Sequence, residues 1–95
     1  MTTWQDTTSY SRGSMDRTPR EWTVEIAGES ICIHRLPYEP LKWFLSCWFT
    51  KDRVLLSTNV EVAKYEAIHA VMEFLTVATA DCERLLTPGP VGGRT

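Results

Sequence analysis

The sequence predicts an α+β domain: a four-stranded antiparallel meander followed by one long amphipathic C-terminal helix packed on one sheet face. Three observations carry this. Apolar and polar side chains alternate in several runs between Trp22 and Ser57. The connections between those runs are too short for parallel crossovers. After Thr58 the apolar period lengthens to that of a helix, with no Gly or Pro before Leu86.

The first strand is Trp22-Thr-Val-Glu-Ile26, with the period of a half-buried strand. Ala27-Gly28-Glu29 supplies a tight turn in which Gly28 can take positive φ, and Ser30 to Leu36 returns. Pro37-Tyr-Glu-Pro40 interrupts the pattern, since prolines three apart cannot continue a central strand. Leu41 to Thr50 reads as the central strand, Lys51-Asp52 as a polar turn, and Arg53 to Ser57 as the fourth strand.

Thr58-Asn-Val-Glu61 has the form of a capping box, with Thr58 as the cap. From Val60 onward, Ala67, Ile68, Val71, Met72, Phe74, Leu75, Ala78, Cys82, Leu85 and Leu86 share one broad face, with Leu75 near its middle. Glu66, His69, Glu73, Asp81 and Arg84 take the other. Thr87-Pro88-Gly89-Pro90 ends the helix. At 1.5 Å per residue it would run about 40 Å, twice the roughly 20 Å of a typical strand, so half of it would have no sheet beneath.

Residues 1–20 hold eight Ser/Thr with only isolated apolar side chains. They read as a disordered tail, although Trp4, Tyr10 and Met15 offer docking side chains. Residues 88–95 read as a second loose tail, which leaves 21–87 as the single domain.

Composition narrows the function classes. The 95 residues are 43% hydrophobic and 23% charged, ordinary for a globular chain. Residues 21–86 carry six basic and ten acidic side chains, a net −4, whereas phosphate binding draws on Lys and Arg. Nucleic acid is therefore not the expected partner. The competing reading of that kind would use Arg12, Arg17, Arg20 and Arg35 with stacking aromatics. No apolar run approaches a membrane span, and the N-terminus lacks a secretory pattern. Cys32, Cys47 and Cys82 are odd in number and never paired as Cys-x-x-Cys, so neither a disulfide framework nor a zinc site is expected. The expectation is a cytoplasmic protein with no cofactor.

No catalytic signature is present. Glu66-Ala-Ile-His69 with Glu73 is half of a di-metal carboxylate pattern, but one copy on a polar helix face reads as a solvated stripe unless a dimer sets two copies face to face. Cys32-Ile-His34 places a thiol and an imidazole on one strand face, without an oxyanion-hole element nearby. Neither supports an enzyme, and no metal ligands are assigned. A pocket formed only at a dimer interface is the enzymatic or ligand-binding alternative.

The layout, a sheet followed by a helix entered through Ser57-Thr58, is similar in outline to the second half of a double-stranded-RNA-binding domain. The lysine cluster those domains carry at the start of the last helix is missing: Asn59-Val60-Glu61 stands there, with Lys64 the only cation of the first two turns. It is also similar in outline to small antitoxin sheets of the HicB kind, without a specific motif. The chain is assigned to neither.

The strongest functional signal is apolar surface in excess of cover. On the expected central strand Leu41, Trp43, Leu45, Cys47 and Phe49 point one way, Phe44 and Trp48 the other. One helix covers one face, so the second aromatic face needs a partner, the Pro37–Pro40 loop or the N-terminal tail. The reading is a small non-catalytic regulatory or inhibitory protein that binds another protein stoichiometrically, as a homodimer. Its interface would draw on Phe44, Trp48 and Trp43, with Glu66, His69, Glu73 and Asp81 as the polar complement. Small acidic chains with loose tails and no catalytic residues are often adaptors, immunity proteins or phage-encoded inhibitors, an analogy of class.

Overall fold

A computed structural model describes residues 3–10, 12–13, 15, 18–36 and 38–87. The expected C-terminal tail, 88–95, lies outside these residues, as do Pro37 and Arg17. The elements are β1 (Gln5–Asp6), β2 (Glu21–Ile26), β3 (Glu29–Leu36), β4 (Glu39–Cys47), β5 (Thr50–Val54) and α1 (Val60–Leu86). The strands form one antiparallel sheet in the order β1-β2-β3-β4-β5, a meander. The α+β class holds, with five strands in place of the expected four.

The added strand lies in the segment expected to precede the domain. Gln5 pairs with Thr23 and Asp6 with Trp22, too short a run to show a period. Side chains hold it. The Thr8 hydroxyl accepts the backbone N–H groups of Arg20 (2.7 Å) and Glu21 (2.9 Å), and Trp4 packs against the core. Hydrogen bonds from Thr8, then from the Tyr10 hydroxyl at 2.6 Å, hold the Asp6 carboxyl below its usual range.

The β2–β3 hairpin follows the sequence. Ile26 pairs with Glu29 around Ala27 and Gly28, which both have positive φ (52° and 84°), as a type I′ turn requires. The β4–β5 hairpin departs from it. Cys47 pairs with Thr50, so the turn is Trp48-Phe49 and Lys51-Asp52 lies inside β5. Between the Cys47–Thr50 and Leu45–Arg53 pairs the register shifts, and Asp52 takes φ 52° with its N–H on the Ser46 hydroxyl at 2.9 Å. The polar pair expected to turn the chain forms a β-bulge instead.

The core lies between one sheet face and the first half of α1. Val24, Ile31, Ile33, Trp43 and Leu45 meet Ala63, Ala67, Ala70 and Val71, with Leu55 closing one side. Three alanines on the packed face let the helix backbone lie close to the large sheet side chains. Beyond Val71 the helix outruns the sheet. Leu75, expected near the middle of the buried face, is 44% exposed, because the strands end before the helix reaches it.

The helix start is one residue later than expected. The Trp43 indole N–H donates to the Thr58 carbonyl (3.1 Å), and Asn59 is the N-cap, its side chain accepting from the N–H groups of Glu61 and Val62. At the other end Thr87 donates its N–H and hydroxyl to the Glu83 carbonyl. No helix among the described residues is long and apolar enough to cross a membrane.

Two stability measurements test this packing. Ile33→Ala removes a fully buried side chain and is expected to cost about 2–5 kcal/mol in denaturant unfolding, where Glu73→Ala should cost under about 0.5 kcal/mol. At the first hairpin, Ala27→Asn relieves a left-handed alanine and should stabilise by up to about 1 kcal/mol. A loss of stability there would show that the turn is not of this type.

Candidate functional site

Residues expected at an interface fall in three places. Trp43 is 2% exposed, in the core, with the Arg35 guanidinium 4.9 Å from its ring centroid. It positions the helix and is not itself a contact surface. Phe44 lies on the sheet face away from the helix, 7% exposed, its ring stacked on His34 at 5.9 Å. Trp48 does not share that face. Since the alternation of β4 stops at Cys47, Trp48 stands in the turn at the sheet end, 44% exposed, edge-on to both Phe49 (5.2 Å) and Phe74 of the helix (5.8 Å). Phe49 and Phe74 stack in parallel at 4.3 Å. This aromatic cluster marks where the sheet ends and the free helix begins.

The polar helix residues also separate. Glu66 turns back to the β5–α1 connection, where its carboxylate accepts the N–H groups of Leu56 (3.1 Å) and Ser57 (2.9 Å). His69 sets its ring edge-on to Tyr65 at 4.7 Å. Glu73 is exposed, and Asp81 pairs with Arg84. Glu66, His69 and Glu73 all border one open groove between β5 and α1. Among the described residues no three His, Cys, Asp or Glu side chains gather as a metal site would require.

One polar constellation was not legible beforehand. On the open sheet face His34 Nε2 lies 3.2 Å from Ser46 Oγ and 3.1 Å from Asp52 Oδ1. The residue types are those of a nucleophilic triad, but the geometry is different. A triad histidine uses opposite ring nitrogens for hydroxyl and carboxylate, and here both meet the same one. Ser46 also accepts the Asp52 N–H. The group ties β3, β4 and the β5 bulge together. Cys32, opposite Ser46 across β3–β4, has its thiol pushed up by burial, away from the reactive thiolate. Ser46 and Asp52 could be linked to His34 only once the strand register and the bulge were known.

The remaining feature is the helix beyond Val71. Phe74, Leu75, Ala78, Cys82 and Leu85 continue the face that packs on the sheet, with Leu86 at its margin. Leu85 is 86% and Leu86 83% exposed. From Leu75 onward this apolar stripe has no sheet under it and leaves exposed apolar surface in line with the core contact.

Compared with known protein families, with characterised proteins and with solved structures, the chain shows no significant match.

The Glu66 clamp is testable. Glu66→Ala leaves two backbone donors without their carboxylate and is expected to destabilise by about 1–2 kcal/mol, with Glu66→Gln intermediate, in urea titrations. No change in either variant would release Glu66 from this structural role.

Proposed function

We propose that this protein is a small non-catalytic binding protein that regulates or inhibits another protein by stoichiometric association, the apolar face of α1 beyond the sheet being the protein-contact surface on which that activity depends. One observation supports this above the others. The helix stripe from Phe74 to Leu86 continues a core-packing face into solvent, where it is stabilising only against another apolar surface. The half-exposed Trp48 beside it supplies an aromatic of the kind that anchors protein interfaces. The acidic balance of the folded part and the packing of Arg35 over Trp43 favour a protein partner over nucleic acid. The His34–Ser46–Asp52 geometry favours binding over catalysis. Three free, separated thiols are in keeping with a reducing, cytoplasmic setting.

The test is retention on the immobilised full chain. A protein of the source cell should be retained at a fixed molar ratio by the wild type and lost with Leu85→Lys, whose helix content should be unchanged because Leu85 touches no core residue. Equal retention by both would show that the binding function does not depend on the helix extension. Retention of nothing but further copies of the chain would remove the regulatory reading.

A further inference from the structure

Within α1, Ile68, Val71, Leu75, Ala78, Cys82 and Leu85 follow one another at spacings of three and four, the a/d seam of a heptad pattern. The seam has two kinds of surroundings. Ile68 and Val71 lie against the sheet, whereas Leu75, Ala78, Cys82 and Leu85 run past it. No charged residue falls on the seam, and its two middle members beyond the sheet, Ala78 and Cys82, are small enough for a second helix to approach closely.

We infer that the occupant of the free seam is a second copy of this chain, paired antiparallel across a twofold axis near residue 80. This rests on reading the helix extension as a protein-binding surface and names its partner. Geometry selects the orientation. A helix seated on the seam lies roughly 8–10 Å away, in the layer that the sheet occupies over the first half of α1. A parallel copy would drive its own first half through that sheet. An antiparallel copy overlaps only along the extension, so each helix is covered by its own sheet first and by the second copy's helix afterwards.

The sheet end sets the register. Phe74 stacks on Phe49 at the β4–β5 turn, so the last turn of the second helix must stop at that level. Heptad pairing then sets Leu75 against Leu85 of the second copy and Ala78 against Cys82 of the second copy, each contact made twice. Leu86 of the second copy reaches the exposed side of Trp48. The exposed parts of these seam residues, with Trp48 and Leu86, allow at most on the order of 600 Å² to be buried per copy, at the lower end of the roughly 600–1,000 Å² per partner of specific interfaces.

Sedimentation equilibrium of the full chain at tens of micromolar is expected to give twice the 10.9 kDa chain mass. Leu75→Lys with Leu85→Lys should halve the mass with helical circular dichroism retained. Ala78→Cys should form a covalent dimer under mild oxidation, and adding Cys82→Ser should abolish it. Wild-type Cys82 should not cross-link to its own copy, since the antiparallel register keeps the pair beyond disulfide reach, roughly 7 Å between Cα atoms. Alkylation of Cys82 should be slower in the wild type than in the lysine variant. A monomeric wild type overturns the inference, as does a dimer indifferent to both lysines or one that oxidises through Cys82 alone. A monomer whose capture of a different protein still depends on Leu85 would leave the binding function standing and remove only the homodimer.

Discussion

The structure depends on one contact, the seating of Ala63, Ala67, Ala70 and Val71 on Ile31, Ile33, Trp43 and Leu45. A five-stranded meander has two faces and the described residues form one helix, so the main buried layer lies on the helix side of the sheet, with Phe44 buried separately on the other face. Small residues on the helix and large ones on the sheet make that layer thin and dense. Everything else elaborates this contact: Trp4 extends it over β1, Leu55 closes it beside β5, and Lys64 sets its ammonium 3.8 Å above the Trp22 ring at its margin.

The direction of the helix follows from the same layer. Trp43 is a core side chain, yet its indole N–H holds the Thr58 carbonyl, and Glu66 gathers the amides of Leu56 and Ser57 from the second turn of the helix. The connection is thus tied from the sheet side and the helix side at once. A helix fixed over its first half, with no Gly or Pro in its second, carries its apolar stripe outward as a stiff rod. The extension is therefore presented in a defined direction, and it costs little conformational entropy to engage.

Much of this was legible in the residues. The alternation of Trp22–Ile26 and Ser30–Leu36, with Gly28 between, defines the first hairpin, and the change of period defines a helix ending at Leu86. What was not legible depended on contacts distant in sequence. Two residues of β1 show no period, and their place follows from the Thr8 hydroxyl and Trp4. Lys51-Asp52 looks like a turn on polarity alone, but Ser46 holds the Asp52 amide and the chain turns earlier, on two aromatics. That displacement carried Trp48 from the expected sheet face to the helix side. The apolar arc of α1 was readable, while the point at which the sheet stops under it was not, since that depends on how far the strands run beneath the helix. Leu75 passed from expected core to exposed stripe for this reason. For the residues expected at an interface, the sequence identified Trp48 as available but could not separate it from Phe44 or reveal that Glu66 is committed to the backbone.

The bulge in β5 has a consequence for how copies of this chain can meet. An outer strand with free N–H and C=O groups is a template on which further strands can add without end. Here one outer strand, β1, is two residues long, and the other is bent at Asp52 and carries Lys51 and Arg53 on either side of that bend. Both borders of the sheet are poor templates for growth by strand addition. Neither border invites open-ended addition of strands, so the helix can carry a long greasy stripe without exposing the chain to fibre formation through its sheet edges.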